Sequence, residues 1–528
     1  MLFNSYEFLF LFLPATLLGY FWIARRGHEP AVIWLVVASL FFYGWWNPVY
    51  LLLLVASMIV NFGLGALLGQ AHRLGRVGAG KRWLALGVMF NLSLLGYFKY
   101  ANFAVNSLNS VAGTHLHLET IVLPLAISFF TFQQIAYLVD AFQGQAREYR
   151  FAHYALFVTF FPQLIAGPIV HHRDMLPQFM QAGALTPRAQ NIAIGLSIFA
   201  LGLFKKTVLA DGVAQYATPV FNAAAAGESV TFFEAWGGAL AYTLQLYFDF
   251  SGYSDMAVGA ARMFGIVLPV NFHSPYKATN IIEFWRRWHM TLSAFLRDYL
   301  YVALGGNRDG RLKRYRNLMI TMLLGGLWHG AGWTFVMWGA LHGFYLCINH
   351  AWRHLSTRLF PAPMLPRGLS ASLSWGLTFL AVVVGWVFFR AGSFDAAAMV
   401  LKGMAGLNGV ALPNALAARL GGVWPVLEGL GFATYLGGGS QFVFNWLWVL
   451  TLLPIVLVMP NTQEIMRDVG PGMHLHRAQP KDEVQPLRRI KESIVWRGCP
   501  NWALTIGTLA GLGVLAMTSI SEFLYFQF

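Results

Sequence analysis

Long apolar runs separated by short polar segments recur along the whole chain. Each run is about 17 to 25 residues long, enough for a helix to cross the hydrocarbon of a bilayer. By this length rule we count roughly eleven to twelve helical segments, and we expect some of them to be re-entrant. The pattern predicts an all-α, polytopic transmembrane protein. No fixed-period repeat or separate soluble domain is visible, so we interpret residues 1–528 as one integral-membrane domain.

The composition agrees with this interpretation. Of the 528 residues, 57% are hydrophobic and 11% are charged, whereas about a quarter of a soluble domain is charged. The formal charge of +14 would suggest nucleic acid binding in a soluble protein, but here it indicates cytosolic loops, so we expect a lipid membrane and no nucleic acid as partner. Two cysteines, Cys347 and Cys499, provide neither a disulfide framework nor a metal-thiolate motif.

Basic segments predict the orientation of the chain, because Lys and Arg concentrate on the cytosolic side. Arg25 and Arg26 follow the first apolar run, and further basic segments occupy residues 72–82, 305–317 and 467–497. These segments should be cytosolic, which places the N-terminus outside. The first run has no positive residue before Arg25, so we interpret it as a retained span and not as a signal peptide.

Charge does not settle the topology of residues 149–280. Lys205, Lys206 and the region around Arg173 compete for the cytosolic side. Pro162 and the Gly167-Pro168 pair should break the apolar run there into a re-entrant or short helical pair.

Polar side chains occur in two apolar segments where lipid contact would be costly. Residues 121–142 include Gln133, Gln134 and Asp140, which we expect to face a cavity or neighbouring helices. Asp249 and Asp255 follow another apolar run. They indicate a polar network, a cation site or a hinge, and hydrogen-bonded helix ends packed against the core are an equally good interpretation.

Residues 280–343 are the predicted catalytic core segment. Their first part, NIIEFWRRWHMTLSAFLRDYLY, predicts one cationic, aromatic helix in which residues three and four apart share a face. One face then carries Glu283, Arg286, Arg287, Met290, Ala294 and Arg297, and the opposite face carries Trp285, Trp288, His289, Leu292, Phe295, Leu296 and Tyr299. His289 therefore lies on the aromatic side.

The second part of this segment carries His329. The apolar run 318–349 has basic residues on both sides, so it must enter the membrane and return to the same side. Its natural bend is the HGAG sequence, because closely spaced glycines loosen a helix. This bend places His329 inside the bilayer, where an ionisable residue is a functional candidate.

Two other histidine pairs have a spacing that a metal ion could use. They are His171-His172 and His350 with His354. Neither has a carboxylate or thiolate partner nearby in the sequence, so we predict no metal site.

Several motifs together resemble the membrane-bound O-acyltransferase family, and within it the bacterial alginate O-acetyltransferase branch. They are FFPQLIAGPIVHH, LYFDFSGYSDMAVG, NFHSPYKATNIIEFWRRWHMTLSAFLRDYLY, LLGGLWHGAGWTFVMWGALHG, GWVFFRA and the C-terminal SEFLYFQF. The resemblance covers nearly the whole chain. It implies a ring of tilted helices around a central funnel, with a cytosolic and an extracytosolic side that meet near the histidines.

The resemblance also implies an activity and its residues. His329 corresponds to the family's invariant histidine and would act as general base, and His289 corresponds to a second functional position. His289 would orient the acceptor, help to polarise the thioester carbonyl, or only hold the helix. From their charge, Arg286, Arg287 and Arg297 are candidates to bind the phosphates of the donor, and Trp328 is a further candidate donor contact. An ordinary pair between an arginine and Glu283 is an equally good interpretation of the arginines.

The implied donor is acetyl-CoA from the cytosol, a substrate and not a permanently bound cofactor. The implied acceptor is an exopolysaccharide such as alginate, reached with a periplasmic acetyltransferase or acetyl-carrier protein, and the implied location is the bacterial inner membrane. Another envelope glycan remains open as acceptor: peptidoglycan, cellulose, or teichoic acid in D-alanylation. A polysaccharide or lipid transporter whose histidines relay protons is also open, but the inverted repeats it predicts are not seen.

Overall fold

The computed structural model describes residues 1–146, 150–308, 310–359, 365–473 and 492–518. Helices make up most of these residues, which confirms the predicted all-α class. Five helical stretches are long and apolar enough to span a membrane: Pro48–Arg73, Val77–Ala112, Ala189–Ala225, Gly368–Arg390 and Gly439–Val458. Shorter apolar helices are Phe8–Ala24, His28–Gly44 and Pro500–Ala516. The number of eleven to twelve segments stays a prediction, and the SEFLYFQF motif lies outside the described residues.

The N-terminal half of the chain is built from helices joined by short loops. Its α-helices are Leu13–Ala24, His28–Gly44, Pro48–Arg73, Val77–Leu95, Ala101–Ala112, Ile127–Phe142, Phe151–Thr159, Phe161–Leu164, His172–Phe179, Ala189–Phe204, Asp211–Ala225 and Phe232–Met263. Wider π-helical turns lie at Phe8–Phe12, Gly96–Tyr100 and Lys205–Ala210, and a 3₁₀ turn lies at Ala182–Ala184.

The C-terminal half adds further helices and one small sheet. Its α-helices are Ile281–Arg287, Met290–Phe295, Arg311–His329, Trp333–Leu359, Arg367–Arg390, Phe394–Met404, Asn414–Leu420, Trp424–Gly429, Gly439–Val458, Thr462–Ile465 and Pro500–Ala516. A π-helical turn lies at Leu296–Tyr301, and 3₁₀ turns lie at Pro275–Lys277, Gly421–Val423 and Arg467–Val469. The strands Val410–Pro413 and Phe432–Tyr435 pair in parallel.

The helix Phe232–Met263 is the buried axis of the bundle. Nearly all of its 32 residues are buried, and its N-terminus is closed by a capping box between Thr231 and Glu234. It packs against Ala189–Phe204, where a Cβ on Gly195 would lie 2.6 Å from the carbonyl oxygen of Gly259. Small residues allow two helix backbones to approach this closely. Such close packing stabilises the association of helices in lipid, where the hydrophobic effect does not drive helices together.

The lysines that left the topology open lie inside the bundle. Lys206 Nζ is 2.6 Å from an Asp249 carboxylate oxygen and 2.8 Å from one of Asp211. Lys205 Nζ is 2.6 Å from Asp255. These lysines therefore do not mark a cytosolic loop, and among the interpretations of Asp249 and Asp255 the structure supports a buried polar network of ion pairs.

The region around Pro162 is broken as predicted. Helix Phe151–Thr159 is followed by the single turn Phe161–Leu164 and then by non-helical chain. Residues 160–168 are buried almost throughout. Non-helical backbone at membrane depth is tolerated only where protein or a cavity covers it, and here protein covers it.

We expect Lys206→Met to destabilise the folded protein strongly. Removing the ammonium takes the cationic partner away from the buried carboxylates of Asp249 and Asp211, and breaking such a buried pair costs about 3–5 kcal/mol of folding free energy. The measurement is the thermal unfolding midpoint in detergent, with Lys402→Met, at an exposed lysine, as control. Equal midpoints for the two variants would contradict a structural role for the buried pairs.

Candidate active site

The histidine of the predicted bend ends a helix. Helix Arg311–His329 stops at His329, and the returning helix begins at Trp333. A Cβ on Gly330 would overlap the Phe335 ring, so the turn requires glycine at this position. The predicted bend at HGAG is confirmed.

Glycines also hold the two arms of this hairpin together. A Cβ on Gly326 would collide with the backbone of Phe335, and one on Gly339 would collide with the Met322 carbonyl. The arms pack backbone to backbone through these contacts, which gives the helix that carries His329 a rigid neighbour.

The first part of the catalytic core segment is not one helix, and that prediction was wrong. Helix Ile281–Arg287 ends, His289 adopts the left-handed conformation with φ of 43°, and a new helix begins at Met290. The Met290 N–H donates to the Asn271 carbonyl at 2.9 Å, so the loop before the helix holds the break open. The predicted faces survive the break: Trp285 is buried and Arg286 is exposed.

The break sets the hydrogen bonds of His289. Its side chain is fully buried, and Nδ1 lies 3.0 Å from Asn271 Oδ1, which also accepts from the Thr291 hydroxyl at 2.9 Å. Because an amide oxygen only accepts, the neutral ring carries its proton on Nδ1 and leaves Nε2 as an acceptor. Nε2 is buried and has no hydrogen-bond partner among the described residues.

His329 lies beside His289. Their ring centroids are 6.3 Å apart, and the His329 ring packs between Trp328, Trp338 and Phe389 at 4.9, 5.1 and 5.3 Å. Nδ1 of His329 has no hydrogen-bond partner among the described residues. The two predicted histidines thus meet in an apolar chamber with unused ring nitrogens.

A cavity of about 640 Å³ leads to His329. Its walls come from the N-terminal segment, the turn after the second helix and the chain before helix Ile127–Phe142, all of which the charge pattern places outside. The lining residues include Met1, Glu7, Trp45, Trp46, Lys99, Ser128, Trp328 and His329. We therefore call it the outer cavity.

His342 lies further along the returning helix and was not singled out from the sequence. It is fully buried, and the Trp285 indole N–H donates to its Nδ1 at 3.2 Å. Trp338 packs between His342 and His329, with ring centroids at 4.8 and 5.1 Å. The signal was available, because His342 is a second ionisable residue in the same apolar run.

The predicted donor-binding residues lie in different places. Trp328 is buried, stacks on Phe132 at 5.4 Å and lines the outer cavity with His329. Arg287 pairs with Glu283 at 2.7 Å, the ordinary i,i+4 ion pair, and Arg297 pairs with the neighbouring Asp298 at 2.7 Å. Arg286 is exposed and lies close enough to His350 to act on it electrostatically.

One histidine of each pair considered for a metal has a hydrogen-bond partner from another part of the chain. His171 Nδ1 lies 3.0 Å from the Tyr299 hydroxyl, and Arg314 donates to the His350 ring. A different group, His28 with Glu29 and His153, places its ligand atoms within 4.8 Å of one another. Arg150 lies 3.0 Å from the Glu29 oxygen that His153 also contacts, so we interpret the group as an ion-pair network.

Known proteins resemble this chain over much or all of its length. A family model described as the membrane-bound O-acyltransferase family matches residues 139–371, which include both histidines. A peptidoglycan O-acetyltransferase of Helicobacter pylori is 48% identical over 78% of this chain and 81% of its own length. A probable alginate O-acetylase of Pseudomonas aeruginosa is 39% identical over 100% of both chains.

A more distant relative is named for a different polymer. A teichoic acid D-alanyltransferase of Streptococcus thermophilus is 29% identical over 43% of this chain and 57% of its own length. Full-length similarity at 39% identity exceeds what a shared helical composition would produce. The chain therefore belongs to the membrane-bound O-acyltransferase family and is a multi-pass membrane acyltransferase.

Proposed function

We propose that this enzyme takes an acetyl group from cytosolic acetyl-CoA and passes it across the inner membrane for O-acetylation of an exopolysaccharide such as alginate. The observation that carries the proposal is the pair His329 and His289, buried side by side where the outer cavity ends. A full-length relative named as a probable alginate O-acetylase supports the choice of acceptor.

His329 is the general base of this reaction. One of its ring nitrogens takes the proton of an acceptor hydroxyl as the oxygen attacks the thioester carbonyl carbon. The C–S bond then breaks, and the imidazolium returns its proton to the leaving thiolate. An ester is formed and a thioester is consumed, with no further reactant.

His289 is suited to orienting the acceptor. Asn271 holds the proton of the neutral ring on Nδ1, so Nε2 can accept a hydrogen bond from a hydroxyl but cannot donate one to a carbonyl. Of the three roles left open by the sequence, this arrangement favours acceptor binding over polarisation of the thioester.

The donor is recognised by cationic side chains at the cytosolic end of the hairpin. Arg286, Arg314 and Arg353 all act electrostatically on His350, and no carboxylate pairs with any of the three among the residues that the structure describes. Guanidinium groups that no carboxylate neutralises bind phosphate strongly. Arg287 and Trp328 remain part of this proposal as further donor contacts, and acetyl-CoA is a substrate without any permanently bound cofactor.

The double variant Arg314→Gln with Arg353→Gln should raise KM for acetyl-CoA roughly tenfold or more, because hydrogen bonds to charged groups contribute about 1.5–3 kcal/mol. We expect kcat to change little, since neither side chain reaches the chamber. Thiol release measured against acetyl-CoA concentration checks this, with Arg419→Gln, at an exposed arginine outside this cluster, as control. An unchanged KM would place the donor elsewhere.

A periplasmic acetyltransferase or acetyl-carrier protein completes transfer to the polymer in this proposal. Peptidoglycan is the second candidate acceptor, because the relative with 48% identity is named for it. Asp249 and Asp255, which gave weak support to the transporter alternative, are engaged by lysines. Acetyl content of exopolysaccharide and of peptidoglycan, measured in cells with and without the gene, distinguishes the acceptors; loss of acetyl from neither contradicts the function.

A further inference from the structure

Lys99 is a buried cation at the inner end of the outer cavity. It is 8% exposed and lines this cavity together with His329. No carboxylate forms an ion pair with it among the described residues. It lies outside residues 139–371, which the family model matches. An ionisable residue in such a place is expensive to bury and calls for an explanation.

The three donors of Lys99 are all used by the protein. Its Nζ donates to the carbonyl oxygen of Trp328, to that of His329 at 3.3 Å and to the Ser128 hydroxyl at 3.2 Å. An ammonium group has three N–H donors and no acceptor. Since all three are engaged, Lys99 has no donor left for a substrate, and its role must be exerted through the groups it holds.

Those groups are the end of the helix that carries His329. The last four carbonyl groups of a helix have no partner within it and need one from another part of the protein or from solvent. The Lys99 ammonium donates to the carbonyl oxygens of Trp328 and His329, and the Tyr100 hydroxyl donates to that of Leu327 at 2.8 Å. The positive charge also faces the negative end of the helix dipole.

Lys99 and Tyr100 both lie in a π-helical turn. Gly96–Tyr100 is this turn, between Val77–Leu95 and Ala101–Ala112. Both side chains donate to carbonyl groups at the end of the same helix. π-helical turns are frequent at functional sites.

We propose that Lys99, assisted by Tyr100, is the positioning residue of the catalytic helix and holds His329 in its reactive geometry. The inference rests on the proposed function, in which His329 is the general base. Lys99 binds neither donor nor acceptor. It acts on turnover through the backbone of Trp328 and His329.

The test compares Lys99→Met, Lys99→Arg and Tyr100→Phe in the purified full-length enzyme with acetyl-CoA. We expect Lys99→Met to lower kcat about 10- to 100-fold, because a displacement of about 1 Å of a reacting group can cost a hundredfold. KM for acetyl-CoA should stay within about twofold, since this is an effect on geometry and not on binding. Lys99→Arg, which keeps the charge, should recover part of kcat, and Tyr100→Phe should give a smaller loss of the same kind.

The matched control is Tyr20→Phe, which also removes a buried hydroxyl that donates to a backbone carbonyl, that of Ala184 at 3.2 Å. It should keep the wild-type kcat. Wild-type kcat in Lys99→Met, or a raised KM with unchanged kcat, would overturn the proposal. If Lys99→Met yields no folded protein, Tyr100→Phe decides: a lower kcat supports positioning and an unchanged kcat overturns it.

Failure of this proposal differs from failure of the proposed function. An inactive His329→Ala together with a fully active Lys99→Met would overturn the positioning role alone. An active His329→Ala would remove the general base and the proposed function with it.

Discussion

Replacing His329 with alanine is expected to lower acetyl transfer by about two to four powers of ten, the usual contribution of acid–base catalysis. The side chain is buried, ends its helix and has an unpaired Nδ1 among the described residues, so its loss removes no hydrogen bond of that atom. Folding, membrane insertion and binding of coenzyme A should therefore stay nearly intact. The assay compares acetyl content of the polymer with the yield of monodisperse protein in detergent.

The control for this variant is His172→Ala. His172 is also buried, packs against Tyr137 and Phe157, and its Nε2 has no partner among the described residues. It is not part of the chamber, so its removal should leave activity per folded molecule unchanged. If His329→Ala loses acetylation only in proportion to protein, the histidine is structural and the catalytic role is refuted.

Asn271→Leu should lower acetyl transfer about 10- to 100-fold, the range in which loss of an orienting partner of a histidine falls. Leucine provides no acceptor for the Nδ1 proton of His289. The proton can then move to Nε2, or the ring can rotate, and in either case Nε2 no longer accepts a hydrogen bond at the same place. His289→Ala removes the group entirely and should cost at least as much, although no more than His329→Ala. Initial rates of thiol release, with acceptor present, measure both.

Ser254→Ala separates orientation of His289 from support of Asn271. It removes only the acceptor of the Asn271 amide N–H, 3.3 Å away, and leaves the Oδ1 contact with His289 in place. A small effect is expected. If Ser254→Ala and Asn271→Leu lose activity equally, the asparagine acts by holding the loop and not by setting the His289 tautomer.

Much of the architecture was predictable from the sequence, because a membrane permits few backbone solutions. Apolar runs of spanning length must become helices in lipid. The hairpin around His329 followed from basic residues on both sides of one long run and from glycines that only a close turn explains. The same local rules indicated the broken chain after Thr159 and the buried polar face of residues 121–142.

The charge rule failed where charges pair inside the bundle. Lys205 and Lys206 look like cytosolic loop residues in the sequence, yet each is neutralised by an aspartate more than forty residues away. The rule counts charges along the chain and does not consider ion pairs with residues on neighbouring helices. Only the packing of Ala189–Ala225 against Phe232–Met263 decides whether such a lysine is solvated or buried.

By itself the sequence determined the class of protein and the bend at His329, and it singled out both histidines as candidates, because each depends on local composition or on a motif. Only the tertiary structure decided the hydrogen bonds and the neighbours of the two histidines. Asn271, 18 residues before His289, accepts hydrogen bonds from the His289 ring and from the Met290 N–H. The Lys99 ammonium donates to the His329 carbonyl across 230 positions of the chain. Hydrogen bonds join residues that are adjacent in space, and spatial adjacency at these separations exists only after the helices have packed.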